Sequence, residues 1–299
     1  MTPETLSEAD SSQEAATENE RLSAETPAWS LRRKSDTQRY ALWDALADFG
    51  GDAIGDDALQ FCMREIASLI RAPQAFWSGT VRVGHAGLAD EDPYKGWRLG
   101  AWVAMDHTND SSPEWMRTAA RIFNNKTGVE SLGAPTRRVL AQTGCFRVFA
   151  LSKGMVDLDA FRQTECYDHF YRQQGIVDRI WIAFPVNQDS ESCFCFDRFA
   201  GQADFDKRDI TTASEALRGI KWFHRALLLS RGLGVAKESL TPAERGIVRE
   251  LLTGATEKVI ADRLQLTPAS AHQYVVRVYR KFGVRGRSEF MALWLGTRS

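Results

Sequence analysis

Three helix starts, written into the segment from Leu240 to Leu295, constrain this chain more than any other feature. The segment reads LTPAERGIVRELLTGATEKVIADRLQLTPASAHQYVVRVYRKFGVRGRSEFMALWL. Thr241 is placed to cap a helix that opens on Pro242 with Glu244 in its first turn. A hydroxyl at that point satisfies a free backbone N–H, and a proline at the first helical position loses no hydrogen bond. Gly254 stands where a glycine stops such a helix. Thr256 caps a second, short helix through Leu264, and Thr267 before Pro268 marks a third start. Gln265-Leu266-Thr267 then forms the short connection of a helix-turn-helix.

The apolar positions fit three packed helices. Ile247, Val248, Leu251 and Leu252 make one stripe, and Val259, Ile260 and Leu264 a second. Ala271, Val275, Val278 and Phe282 follow at offsets of four, three and four, which is one face of a third helix. A small bundle without a partner would show the same stripes, but its surface would mix charge signs. Between Arg263 and Ser288 there is no acid, while Arg263, Arg277, Arg280, Lys281, Arg285 and Arg287 are basic. One-sign charge on a helix face is the footprint of phosphate contact, so this segment is expected to bind double-stranded DNA.

With LTPAER at its start, Lys258, Ile260-Ala261 and Leu264 in its middle and RKFGVRGRSE at its end, the segment resembles the C-terminal DNA-binding domain of LuxR-type transcriptional regulators. The resemblance covers about a fifth of the chain. It implies four helices, the third in the major groove and the fourth serving as a dimer contact. The fourth would begin near Arg287, with Phe290, Met291, Trp294 and Leu295 supplying apolar area. Where relatives commonly read Thr-Val-Lys-x-His, this chain has Ser270, Ala271, His272, Gln273 and Tyr274. Val276 stands where a base-contacting lysine is frequent, and Val259 where many relatives carry glutamate. A different operator preference is therefore expected.

The expected DNA contacts are Lys258, Thr267, Ser270, His272, Gln273, Val276, Arg277, Arg280, Lys281, Arg285 and Arg287. His272, Gln273, Val276 and Arg277 are the candidates for base edges. Glutamine pairs bidentately with adenine, and valine packs on a thymine methyl. Arg277 and Arg280 can reach phosphates or a guanine. The same residues also read as an ordinary solvated helix face.

Charge is unevenly distributed. Residues 236–299 hold 11 Lys/Arg and 6 Asp/Glu, a balance of +5, so the rest of a chain with net charge −1 carries −6. A slightly acidic body adds no nonspecific affinity for nucleic acid. No hydrophobic run reaches membrane-spanning length, and the acidic, polar start carries no signal-peptide pattern, so a cytoplasmic location is expected. Five cysteines (Cys62, Cys145, Cys166, Cys193 and Cys195) are an odd number for a disulfide framework. Cys193 and Cys195 would share one strand face, as a redox or metal pair or as buried core thiols.

Residues 1–25 carry seven acids and one base, and the tail 1–36 is expected to be disordered. Ser30-Leu31-Arg32-Arg33-Lys34 is a basic cluster at its edge, solvated or lying on DNA. Residues 37–231 read as an α+β domain with a mostly antiparallel sheet, 232–239 as a linker, and 240–299 as an all-α helix-turn-helix domain. Helices are expected near 37–48, 57–70, 113–124, 158–173 and as one long run from Phe205 to Arg231. Strands are expected at 75–83, 99–105, 146–151, 179–186 and 193–199, the last two joined by Asn187-Gln188-Asp189-Ser190. The stretches FYRQQGIVDRIWIAFPV, CFCFDR and DFDKRDITTASEALRGIKWFHRALLLSR resemble the GAF/PAS-like sensory domains found ahead of LuxR-type modules. Asp204, Asp206 and Asp209 suit the N-terminus of the last helix. On that helix Ile210, Ala213, Leu217, Ile220, His224 and Leu228 form a stripe able to pair with a second copy, and His224 reads as a packed or hinge histidine.

Eight of nine tryptophans precede the helix-turn-helix: Trp29, Trp43, Trp77, Trp97, Trp102, Trp115, Trp181 and Trp222. They either line a cavity for an apolar small molecule or fill the core. The ligand pattern of acyl-homoserine-lactone receptors does not map onto the chain; Trp97, Trp102, Asp106 and Trp115 come nearest. No phosphate-binding GxxxxGK[ST] loop, nucleophile elbow or zinc signature is present. Asp106-His107 and Asp168-His169 are adjacent pairs, whose side chains diverge and form no catalytic unit. The expectation is a sequence-specific transcriptional regulator, not an enzyme, without cofactor or metal. Its partners would be DNA, a second copy, RNA polymerase and an unidentified small-molecule signal. The alternative is an interaction protein or sigma-like factor that recruits partners to DNA.

Overall fold

The computed structural model describes residues 34–49, 55–82, 92, 94–107, 113–125, 129–233 and 240–295. The tail 1–33 and the connection 234–239, where disorder and a linker are expected, lie outside the described residues. The chain divides into two units, 1–41 and 42–299. Of the first, the described part is the start of helix α1 (Lys34–Asp48), where Arg39 pairs with Asp36 at 2.7 Å.

The second unit contains one five-stranded sheet. Its strands are β1 (Gln74–Arg82), β2 (Trp97–Ala104), β3 (Arg147–Ala150), β4 (Ile176–Asn187) and β5 (Ser190–Phe199). Their spatial order is β2-β1-β5-β4-β3, and every neighbouring pair is antiparallel. In β5 the run Cys193-Phe194-Cys195-Phe196 is apolar without interruption because this central strand is buried on both faces. Successive side chains point to opposite faces, so one run supplies two cores.

Phe194 and Phe196, with Ile180, Ile182 and Trp77, face helices α2 (Asp56–Leu69), α7 (Lys207–Arg218) and α8 (Lys221–Leu229). Leu59, Met63, Ile66, Leu217 and Phe223 complete this core, all fully enclosed. Cys193, Cys195, Trp181 and Ala183 face the other way. They meet α3 (Glu114–Asn125), α4 (Val129–Leu140), α5 (Leu158–Arg162), α6 (Glu165–Tyr167) and a π-helical turn at Asp168–Arg172. Burying one such large apolar side chain stabilises the fold by roughly 1.5–3 kcal/mol.

Two expected helices are corrected, and one helix was not expected. The long helix over 205–231 is two helices, broken at Gly219 and Ile220. The Trp43 indole N–H donates to the Ala216 carbonyl at 2.8 Å, the acceptor that Ile220 N–H would need in a continuous helix. Its ring lies where a Cβ on residue 219 would sit, 2.1 Å from Cζ2. The stripe expected to meet a second copy faces inward instead: Ala213, Leu217, Ile220, His224 and Leu228 are buried and Ile210 is half-buried. The helix over 158–173 is also broken, because Thr164 accepts from Tyr167 N–H at 3.1 Å and starts a new turn. Helix α4 was not expected. Gly133, at φ +70°, and Pro135 interrupt its pattern, and a Cβ at 133 would strike Phe161 and Cys166.

The C-terminal segment folds as four helices: α9 (Pro242–Leu252), α10 (Glu257–Arg263), α11 (Pro268–Phe282) and α12 (Arg287–Leu295). Thr241 and Glu244 form a reciprocal capping box, and Thr256 and Thr267 cap the next two helices. Ile247, Val248, Leu251, Ile260, Val275, Val278, Phe282 and Phe290 build its core.

Candidate nucleic-acid interface and sensory cavity

Helices α10 and α11 are joined by a turn in which Gln265 takes φ +54°. Leu266 N–H returns to the Ala261 carbonyl at 2.8 Å, so the turn is a Schellman stop with glutamine in the left-handed position glycine usually holds. This geometry sets α11 across α10. Ala271, Val275, Val278 and Phe282 anchor α11 from below. His272, Gln273, Val276, Arg277 and Arg280 are exposed on its outer side. Val276 is 50% exposed.

The structure sorts the eleven expected contact residues. Lys258 and Thr267 are exposed and Ser270 is half-buried. Thr267 Oγ1 accepts from Ser270 N–H at 3.1 Å and donates to Ser270 Oγ at 2.9 Å. Arg277 lies over the Tyr274 ring at 5.2 Å. Arg285 is exposed, and its backbone N–H is bound by Glu289. Lys281 and Arg287 are placed differently. Lys281 Nζ reaches the buried Glu244 carboxylate at 2.8 Å. Burial pushes that carboxyl up, but Lys281 and the Thr241 backbone N–H outweigh it and hold it below the ordinary value. Arg287 donates to the carbonyls of Gly254 and Ala255 and so fastens α12 to the α9–α10 turn. Both side chains have structural partners inside the module.

One relationship was not foreseen. Glu257, the first residue of α10, accepts from His272 Nδ1 at 3.0 Å across the turn. Only a pairing 15 residues apart in sequence, dependent on the helix crossing, creates it.

A cavity of about 190 Å³ opens between the sheet and helices α3, α4 and α6. Phe76, Trp102, Trp115, Phe123, Tyr171 and Trp181 give it an aromatic wall, and Cys166, Cys193 and Cys195 a sulfur-rich one. Two arginines complete the lining, each already held by a carboxylate. Arg147 binds Glu191 with two hydrogen bonds, 2.9 and 2.7 Å, and also donates to the Val139 and Cys145 carbonyls. Arg179 binds Asp197 through Nε and Nη2, the latter at 2.8 Å. Burial pulls the Arg179 guanidinium down, but Asp197 outweighs it and holds the group above its ordinary value. Phe76, Trp115, Tyr171 and Trp181 surround this guanidinium at 5.0–5.7 Å.

Of the tryptophans near the poor receptor match, Trp102 and Trp115 line the cavity. Trp97 packs in the core below, and Asp106 lies outside, exposed and paired with Arg64 at 2.6 Å. Trp77 belongs to the opposite face, where it donates to Ser192 Oγ. All five cysteines are free. Cys193 and Cys195 sulfurs are 4.0 Å apart, and burial pushes the Cys195 thiol far up, so it stays protonated and is a poor nucleophile. The CFCFDR motif divides its charges between faces: Asp197 serves Arg179, and Arg198 binds Asp209 at 2.7 Å at the start of α7.

A helix-turn-helix with an exposed basic reading face defines a DNA-binding transcription-regulator module. Residues 238–293 match the family model of bacterial regulatory proteins, luxR family, so the C-terminal segment is a LuxR-family helix-turn-helix domain. GfsR of Streptomyces halstedii, a probable HTH-type transcriptional regulator, is 36% identical over 58 residues, 19% of this chain and 24% of that protein. Mb0914c of Mycobacterium bovis, provisionally named an HTH-type transcriptional regulator, is 27% identical over 276 residues, 87% of this chain and 26% of that protein. The chain thus spans about a quarter of the length of the curated relatives it matches. Among solved structures, SdiA in complex with octanoyl-rac-glycerol aligns at TM-score 0.41 and 12% identity over 89% of this chain and 96% of that one. The ligand-binding domain of VqsR from Pseudomonas aeruginosa aligns at TM-score 0.38 and 14% identity over 64% of this chain and 92% of that one. No helix among the described residues is long and apolar enough to cross a membrane.

Proposed function

We propose that this chain is a cytoplasmic, non-enzymatic regulator that binds a specific operator through residues 240–299 and receives its signal through residues 37–231. The observation that carries the reading is the outer face of α11, where His272, Gln273, Val276, Arg277 and Arg280 are exposed together on a helix that contains no carboxylate. Ser270, Arg280, Lys258, Thr267 and Arg285 contact phosphates in this reading; His272, Gln273, Val276 and Arg277 read bases. Two copies on one operator would place half-sites about 34–36 Å apart.

The signal is an uncharged small molecule held against the aromatic wall. Arg147 and Arg179 are each neutralised by a carboxylate, so a charged ligand would bury an uncompensated charge. The opposing reading, an interaction protein or sigma-like factor that recruits partners such as RNA polymerase, is served by the same module without operator choice.

Selection from random duplex DNA with the full chain at near-physiological salt tests both. Enrichment of a two-fold symmetric site with half-sites one turn apart supports the regulator. Enrichment of no sequence by the full chain or by a Gln273→Ala variant, alongside binding to core RNA polymerase, supports the recruiting factor.

A further inference from the structure

The Glu257–His272 pair belongs to neither the core nor a cap. Both side chains are open to solvent, 44% and 63% exposed, on the side of the module that presents α11. Thr256 already caps α10 by accepting from Val259 N–H, so Glu257 is not needed for that end. A carboxylate can only accept, so the Nδ1 that it holds must carry the proton. The nitrogen left over is Nε2, at the tip of the ring. In a neutral ring Nε2 is then an acceptor and nothing else.

We infer that Glu257 is a positioning residue that fixes His272 in its Nδ1–H tautomer and thereby makes it a reader of exocyclic amino groups. In the major groove such donors are N4 of cytosine and N6 of adenine. Without Glu257 the ring rotates freely, and either nitrogen can carry the proton. His272 then also meets guanine O6 and N7 as a donor, and discrimination at that position falls. Glu257 acts across the turn, from the helix that does not enter the groove. The inference rests on the reading of His272 as a base contact, and the test separates the two.

Operator selection at pH 8.5 with the full chain would compare wild type, Glu257→Ala, Glu257→Gln, His272→Ala and the double variant Glu257→Ala/His272→Ala. His272→Ala is expected to erase the preference at one base position, a loss of roughly five-fold in the matched-to-mismatched ratio. Glu257→Ala should erase the same position and the double variant should lose no more, while Glu257→Gln should weaken the preference, because its amide can accept from Nδ1 or donate to it and so holds either tautomer. A Glu257→Ala logo identical to wild type, with affinity changed alike for every sequence, would overturn the inference and leave Glu257 as a bulk charge. An unchanged logo in His272→Ala would instead remove the base contact itself. Ring ¹⁵N shifts of His272 in the free protein give a readout independent of DNA and of variant folding. Wild type should show the Nδ1–H form; the Nε2–H form there would sink the proposal.

Discussion

Asp56, in the first turn of α2, accepts a hydrogen bond from Arg231 just past α8, at 2.5 Å. Its other carboxylate oxygen faces Arg245 on α9 at 3.4 Å. One acid thus binds the end of the sheet domain and the start of the DNA-binding module. The Arg231 guanidinium is almost fully buried and lies over the Trp77 ring at 4.6 Å. Burial pulls it down to about 10, and Asp56 opposes that pull. Asp56→Asn keeps the shape and removes the charge. It is expected to cost about 2 kcal/mol in denaturant titration, because a charged hydrogen bond to a buried donor is lost. The module should also separate from the sheet domain, seen as a larger scattering radius of gyration. A double-mutant cycle with Arg231→Met that gives no coupling would mean the pair holds nothing together.

His224 gives the protein an acid limit. Its ring is buried between Phe184, stacked at 4.4 Å, and Phe194. The Leu217 carbonyl, 2.9 Å from Nε2, requires that nitrogen to carry the proton, and Ser192 Oγ sits 2.8 Å from Nδ1. Burial holds the imidazole down to about 4, against an ordinary value of 6.5. The folded state therefore binds fewer protons than the unfolded state between these values. Stability is full above pH 6.5, falls as pH drops, and reaches its total loss near pH 4. That loss is about 3 kcal/mol. His224→Gln should flatten this limb of the stability profile, and an unchanged slope would show that another group controls it.

In the proposed reading the paired arginines make the cavity favour neutral molecules. Calorimetry with 2-naphthol should show binding to the full chain, and naphthalene-2-sulfonate, with the same rings and a charge, should show none. Ala183, fully buried on the cavity wall, is the place to fill it. Ala183→Phe should abolish 2-naphthol binding and leave operator binding intact. Equal binding of both probes would refute the neutral-site argument.

Lys281 and Arg280 are both cations of α11, but Arg280 is exposed where Lys281 is half-buried against Glu244, and in the proposed reading only Arg280 meets a phosphate. Arg280→Ala is expected to lower the slope of log K against log salt by about 1. Lys281→Ala should leave that slope unchanged and instead cost about 1 kcal/mol of folding stability, because Glu244 loses its partner. Equal slope changes would place Lys281 on the DNA as well.

The DNA-binding module was the most legible part of the chain, down to the caps at Thr241, Thr256 and Thr267. The five strands and the β4–β5 hairpin were also readable, since period-two patterning and a polar turn are local. The α4 helix was not, because Gly133 and Pro135 break the apolar rhythm that signals a helix. Lys281 and Arg287 looked like their exposed neighbours in sequence. Their partners Glu244 and Gly254 lie 37 and 33 residues away, so spacing along α11 and α12 could not set them apart.

What the amino-acid order determined by itself was whatever is decided within a helical turn or a strand repeat. A hydroxyl before a helix, a proline at its first position and apolar residues every three or four places act over a few residues, and their energies need no distant partner. The tertiary structure decided which charges meet. Arg147 found Glu191, and Arg179 found Asp197, only because β3, β4 and β5 pair in one register and share one face. Trp43 ended α7 at Arg218 by taking the Ala216 carbonyl, 173 residues away, that local sequence had left for the next turn. In each case the competition is between a local hydrogen bond and one brought in by packing, and the outcome depends on positions that only the folded chain creates.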